Sequence, residues 1–241
     1  MRLVSFSLLI LTLVLFVVMV KLGMWQLSRA EEKTNWQQAL TSRSQQQPLN
    51  LNKLQNLIGD DDQTNLSGYR LQVKATPITN KLLMLDNQVY QGKVGYLVFQ
   101  PLKFEHSKKW LLLELGFVEA NHSRHILPKV KEIILSQQFI GRLYQKSLNP
   151  FSYELSAEKS WPKRIQNLNF KQLETEFKNP LYPIVLQPED KLLTHLPHPW
   201  LPIPMPAKKH QGYALQWFSM AAALFILMLI FICKAYKKPT T

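Results

Sequence analysis

The chain has only one cysteine, Cys233, so no disulfide can form within it. Without a second cysteine, the usual dithiol copper site and thiol-exchange chemistry are also excluded. Catalytic signatures are absent too: the sequence contains no nucleophile elbow, no phosphate-binding loop and no H-E-x-x-H zinc motif. We therefore expect a protein that is not an enzyme.

Acidic residues are scarce, because 16 Asp and Glu stand against 29 Lys and Arg and leave a formal net charge of +13. The basic residues are scattered, and no zinc finger, helix-turn-helix or RNP signature accompanies them. The charge thus favours anionic lipid headgroups and carboxylate-bearing ligands as partners. We expect no nucleic acid partner.

Two apolar segments, Leu3 to Val20 and Tyr213 to Cys233, contain no charged residue. Each is close to the roughly 20 residues that a helix needs to cross a bilayer, and unpaired backbone groups are not tolerated in lipid. A cleaved signal peptide is the alternative for the first segment. Its apolar run is longer than a signal core, however, and Lys21 to Trp25 offers no small-x-small cleavage site, which favours an uncleaved anchor.

Two spans place both termini on one side of a membrane and one large domain on the other. Lys234, Lys237 and Lys238 favour a cytoplasmic C-terminus and hence a periplasmic domain, although long loops translocate largely regardless of charge. No Arg- and Ser-rich transit peptide precedes the first span, which favours a bacterial inner membrane.

The pattern predicts an α+β membrane protein in which two transmembrane helices flank a mainly antiparallel β barrel or sandwich. Short strand-like runs separated by turn signals, without long crossover helices, carry this prediction. The expected strands are 69–75, 82–85, 96–100, 110–115, 139–144 and 182–186, with a helix at 170–177. The expected segments are transmembrane helix 1 (1–22), a juxtamembrane helix and linker (23–66), the extracytoplasmic domain (67–194), a proline-rich strut (195–209), transmembrane helix 2 (210–234) and a basic tail (235–241).

His210 opens the second apolar segment, and on a helix it shares one face with Tyr213, Ala214 and Trp217. A haem needs an imidazole for its iron, flat or small neighbours for its ring and cations for its propionates. This face could supply the first two, and Lys208 and Lys209 could supply the third. The alternative is an aromatic belt with an interfacial histidine.

After the first span, Trp25, Arg29 and Lys33 stack on one helical face, with Trp36 next on the same side. They suit either an interfacial anchor or a docking face for an anion.

The remaining histidines fall mainly in two pairs, His122 with His125 and His195 with His198. We expect both pairs to be ordinary surface histidines. Imidazole and thioether also suit copper, so a site built from His195, His198, His210 and Met205 is a weaker alternative.

Several short motifs follow one another along nearly the whole chain. They are Leu22-Gly23-Met24-Trp25-Gln26 with Arg29 and Lys33, Tyr69-Arg70, Leu85-Asp86-Asn87, Gly92, Gly95-Tyr96, Pro101-Leu102, Gly116-Phe117-Val118, Gly141-Arg142-Leu143, and Pro206 with His210 before Tyr213-Ala214 and Gln216-Trp217-Phe218. In these motifs and their order the chain resembles the surfeit locus protein family, the twin-anchored assembly factors of haem-copper cytochrome c oxidase.

The resemblance implies binding of haem a and its insertion into oxidase subunit I, with His210 as the iron ligand. The helical pattern offers Tyr213 and Trp217 for the ring, and the resemblance makes Trp25, Gln26 and Arg29 candidates for the helix-facing or propionate side of the pocket. It implies oxidase subunit I as a partner, with haem a synthase as a further candidate.

The chain departs from the family pattern in its middle. Leu115 and Gln88 stand where the family has arginines, and Phe117 stands where it has tryptophan. These differences leave a second reading open, a membrane scaffold that stabilises oxidase subunits during assembly without binding a cofactor.

Overall fold

The computed structural model describes residues 2–58, 65–145, 153–190, 193–199 and 203–236. The chain forms two compact units, one from residues 1–39 and 203–241 and the other from Leu40–Pro202. Parts of the predicted linker, strut and tail lie outside the described residues, among them Asp60 to Asp62 and Lys237 with Lys238.

The first unit is built from two long helices. α1 (Arg2–Gln45) is one unbroken helix of 44 residues, about 66 Å long at 1.5 Å per residue. It therefore continues past the boundary predicted at residue 22 and into the predicted linker, and no proline interrupts it before Pro48. The last helix (Ala207–Tyr236) begins directly after Pro206. Both are long and apolar enough to cross a membrane.

These two helices pack antiparallel. Phe16 contacts Phe225, with ring centroids 5.7 Å apart, and the position of Gly23 faces Phe218. The better-covered positions of α1 recur at alternating steps of three and four residues, as they do in the last helix. The positions that follow this repeat are Leu9, Thr12, Phe16, Met19, Gly23, Gln26 and Ala30 in α1, and Ala207, His210, Ala214, Trp217, Ala221, Leu224 and Met228 in the last helix. Beside the repeat, Val20, Leu22 and Lys33 of α1 and Phe218 and Ile232 of the last helix are half-buried as well. This period of 3.5 is typical of a left-handed coiled-coil pair.

The described residues of the second unit form seven strands and two short helices. In chain order they are α2 (Leu51–Ile58), β1 (Arg70–Pro77), β2 (Leu83–Tyr90), β3 (Lys93–Phe104), β4 (Ser107–Glu119), β5 (Gln137–Tyr144), β6 (Lys163–Ile165), α3 (Phe170–Phe177) and β7 (Leu181–Pro188). The helix that starts at Ala207 is therefore α4.

Five of the strands close into a barrel. The sheet order is β1-β5-β7-β4-β3-β2-β6, and β1 also pairs with β3 at Thr76 and Pro77. β2 and β6 extend the sheet beyond the closure. Pairing is antiparallel except between β4 and β7 and between β2 and β6.

Alternation along the strands produces two cores. One lies inside the barrel, where Leu111, Leu113 and Leu115 of β4 point. The other covers the opposite face, where Leu112 and Phe99 pack against Leu173 of α3. Period-two alternation explains why neighbouring residues of one strand enter different cores.

The predicted fold class is confirmed: two apolar helices flank a mainly antiparallel barrel domain. Each predicted strand overlaps an observed one, and the predicted helix coincides with α3. α3 starts after Asn169, whose side chain accepts a hydrogen bond from the backbone of Gln172, and it ends at Lys178 in the left-handed conformation. The three-residue β6 was not predicted.

Candidate functional site

The candidate site lies at the start of α4, where His210 faces α1. The His210 residue is only 8% exposed, although it sits in the first turn of a helix that begins at Ala207. Its Nδ1 lies 2.7 Å from Oε1 of Gln26. The first unit therefore brings together an imidazole and an amide that are 184 residues apart in the chain.

Small residues let the two helices approach at this level. Ala30 and Ala214 are buried, at 3% and 1% exposure. At Gly23 a Cβ atom would lie 2.7 Å from the ring of Phe218, closer than carbon atoms pack, so the phenyl ring occupies space that only glycine leaves open. Close backbone approach over small residues is a common way for membrane helices to associate.

The contact with Gln26 bears on where the imidazole holds its proton. An amide oxygen only accepts, so with Oε1 facing Nδ1 the two form a hydrogen bond when Nδ1 of His210 carries the hydrogen. In a neutral ring Nε2 then holds a free electron pair. Among the described residues Nε2 makes no hydrogen bond, and it is therefore able to bind a metal.

The aromatic residues predicted beside His210 lie on the same helix. Tyr213 is 43% exposed, whereas Trp217 is half-buried and belongs to the covered positions of α4. Lys208 and Lys209 precede the histidine and are exposed. A flat ligand held at Nε2 would thus have aromatic and cationic neighbours within one or two helical turns.

Trp25 and Arg29 are exposed on α1, whereas Gln26 is half-buried. Trp25 is 52% exposed, and the Arg29 guanidinium lies over its ring at 5.9 Å from the centroid. Arg29 also pairs with Glu32 one turn on. These two residues contact each other rather than His210, and their place in a pocket stays a prediction.

The copper alternative, with His195, His198, His210 and Met205, stays a prediction. His195 is exposed, His198 bonds to Glu114 and His210 bonds to Gln26. In the described ranges no three His, Cys, Asp or Glu side chains are placed to share a metal ion.

One buried polar cluster of the barrel domain was not predicted. Glu114 of β4 is fully buried, and its carboxylate accepts hydrogen bonds from Tyr144 Oη, from Gln187 Nε2 at 3.3 Å and from His198 Nδ1 at 2.7 Å. Burial, with the adjacent Glu114 charge, raises the pKa of Tyr144 well above its usual value. A lone acid in an apolar run was the sequence signal for it.

Its partner His198 belongs to the segment 193–199, which lies along β4. Gly116 has φ of +118°, and a Cβ there would lie 2.6 Å from Cβ of Leu196. Phe117 donates its backbone N–H to the carbonyl of Pro197. The hydrogen bond to Glu114 and the space left open at Gly116 therefore let this proline-rich segment lie against the barrel.

The fold defines a class: a protein in which two candidate membrane-spanning helices flank a β-barrel domain in the chain. The model of the SURF1 family matches residues 13–222, which is most of the chain. The chain belongs to that family, which is associated with cytochrome c oxidase assembly. No curated protein matches it.

Proposed function

We propose that this protein binds haem a through Nε2 of His210 and assists its insertion into subunit I of cytochrome c oxidase. The observation that carries the proposal is a nearly buried imidazole whose Nδ1 is bound by an amide and whose Nε2 has no partner among the described residues. A neutral imidazole held from behind by a hydrogen bond is the usual form of a metal-binding histidine.

The surroundings fit a haem as cargo. Trp217 and Tyr213 present aromatic surface on the histidine's own helix, and Lys208 and Lys209 offer cations at its exposed end. His210 would be the residue that holds the haem iron, as a single histidine does in many haem proteins. One ligand also suits a carrier, because the haem must leave again.

The proposal includes a location and partners. The apolar lengths of α1 and α4 and the three lysines after the second span support a bacterial inner membrane with the barrel domain in the periplasm. Oxidase subunit I would receive the haem, and haem a synthase is the candidate donor.

The test is the visible absorption spectrum of the full-length protein, purified in detergent after co-expression with the enzymes of haem a synthesis. The wild type is expected to carry a haem a Soret band that His210→Ala loses or shifts. The matched control is His125→Ala, because His125 is exposed in the barrel domain, and it should keep the band. A colourless wild type would refute haem binding and leave the scaffold reading in front.

A specific observation bears on that scaffold reading. Leu115 and Phe117, which replace an arginine and a tryptophan of the family pattern, are both buried, and Phe117 packs against Tyr90 with ring centroids 5.7 Å apart. These side chains therefore contribute to packing rather than to a polar site. The proposed haem contacts accordingly lie on the helices.

A further inference from the structure

Gln26 has no charge to offer a propionate, and the structure shows what its amide does instead. Its Oε1 accepts from Nδ1 of His210 at 2.7 Å. The same residue was placed in the ligand pocket by resemblance alone. The contact suggests that Gln26 acts on the histidine.

The direction of this hydrogen bond decides which ring nitrogen is available. With the amide oxygen facing Nδ1, the ring is the Nδ1–H tautomer and Nε2 keeps its electron pair. If the amide were reversed, its NH₂ group would donate to Nδ1 and Nε2 would carry the hydrogen instead. The two amide orientations therefore predict opposite abilities to bind a metal.

Gln26 is held in place by the packing of its own helix. One turn before it, Gly23 admits the ring of Phe218, and one turn after it, Ala30 is 3% exposed. His210 is fixed in the same way by Ala214 one turn later, at 1% exposure. Both partners therefore lie on faces that the helix pair covers, which limits the rotamers that either can adopt.

We infer that Gln26 is a positioning residue, which holds His210 in the Nδ1–H tautomer and so leaves Nε2 as its single electron-pair donor. The consequence for a bound haem rests on the proposed function, whereas the tautomer is a property of the chain alone. A ligand histidine whose Nδ1–H donates to an acceptor is also a stronger electron donor, so Gln26 would tune the iron as well as aim the ring.

The first experiment measures the tautomer without any haem. The full chain is labelled with [15N]histidine, placed in lipid nanodiscs and examined by nitrogen NMR at about pH 9, above the usual histidine pKa of about 6.5. The chain has six histidines, and the His210 signals are those lost in His210→Asn. The wild type is expected to favour Nδ1–H by about tenfold, the size of one net hydrogen bond.

Gln26→Leu keeps the side chain's bulk and removes the acceptor, so His210 should shift toward the Nε2–H tautomer. The matched control is Gln216→Leu, because Gln216 is exposed on α4, and it should leave the spectrum unchanged. Gln26→Glu keeps an acceptor and should keep the Nδ1–H form, which guards against a variant that merely fails to fold. A wild type in the Nε2–H form, or no change in Gln26→Leu, would overturn the inference.

The second experiment uses the haem-loaded protein and the same variants. A carboxylate pulls harder on Nδ1–H than an amide does, and leucine does not pull at all. The reduction potential should therefore rise in the order Gln26→Glu, wild type, Gln26→Leu, and the iron–histidine stretching frequency should fall in that order. A merely structural residue would lower haem occupancy without ordering either quantity, and that result would also count against the inference.

The two experiments separate two kinds of failure. A wild type that binds no haem would refute the proposed function, while the NMR result would still decide the role of Gln26. A wild type that binds haem but shows no dependence on Gln26 would refute the inference and leave the proposed function standing.

Discussion

The hydrogen bond between His198 and Glu114 is expected to fasten the segment 193–199 to the barrel, and its loss should be costly. Glu114 is fully buried in β4 and takes three hydrogen bonds, one of them from His198 Nδ1 at 2.7 Å. A bond to a charged group contributes about 1.5 to 3 kcal/mol net. Leaving a buried polar group without one of its partners costs about 1 to 3 kcal/mol, and more when that group is charged. His198→Ala should therefore destabilise the barrel domain by about 2 to 4 kcal/mol.

Glu114→Gln provides the second edge of a double-mutant cycle. It keeps the shape of the side chain and its link to Tyr144, but it replaces a charged acceptor by a neutral one. The cycle should give a coupling energy of about 1.5 to 3 kcal/mol between positions 114 and 198. Urea unfolding of the full chain in nanodiscs, followed by tryptophan fluorescence, measures each variant. His122→Ala is the matched control, because His122 is exposed, and it should change stability by less than about 0.5 kcal/mol.

Hydrogen exchange supplies the local readout for the same variants. Phe117 donates its backbone N–H to the carbonyl of Pro197 at 2.7 Å, so this amide should exchange faster when the segment loosens. A coupling energy below about 0.5 kcal/mol, together with unchanged exchange at Phe117, would show that the segment is held by apolar packing alone. The reasoning from the buried carboxylate would then be wrong.

Three further predictions follow from single contacts. Gly23→Val should destabilise the helix pair by about 1 to 3 kcal/mol, since a Cβ would lie 2.7 Å from the Phe218 ring. Gly212→Ala, with open space around it, should instead stabilise the pair by about 0.5 to 1 kcal/mol. Unfolding in dodecyl sulfate compares the two variants, and equal effects would contradict the packing argument. The pKa of Tyr144 is raised in the folded state, so the contribution of this group to the free energy of unfolding is fully present below the unfolded pKa of about 10 and is lost as the pH rises above it. The urea midpoint should therefore fall more steeply above that pH in the wild type than in Tyr144→Phe. Parallel curves would refute this. Gln100→Leu should lower the free energy of unfolding by about 2 to 5 kcal/mol, because it leaves without a partner the backbone groups that the fully buried Gln100 binds, the N–H and C=O of Ile133 among them. Hydrogen exchange at the Ile133 amide should become faster, and an unchanged rate would contradict this prediction.

The order of helices and strands could be predicted because local chemistry determines it. Asn169 at the start of α3 is visible in the sequence, Thr175 is the one β-branched residue within Phe170–Phe177, and that helix was placed correctly. β6 was missed because three residues, Lys163–Ile165, are too few to show alternation. They become a strand only because Leu83–Leu85 of β2 lie alongside.

The face of α1 that meets α4 was harder to predict. A spacing of four residues groups Trp25 with Arg29, and an aromatic next to a cation looks like a site. The helix pair instead follows the repeat of three and four residues through Gly23, Gln26 and Ala30. That repeat of small or uncharged residues was present in the sequence and would have separated Gln26 from Trp25. Pairing Gln26 with His210 still required the register of two segments 184 residues apart.

A polar pair within a seam of apolar and small residues has another possible role, since such pairs often fix the register of helices at a cost in stability. In this helix pair the register is already fixed by shape. The ring of Phe218 fits only where Gly23 lacks a Cβ, and a shift by one turn would bring a side chain against it. The bond between Gln26 and His210 adds little to a register that glycine and phenylalanine set. What only this bond supplies is the position of one proton on the imidazole, and the chemistry of Nε2 depends on that proton.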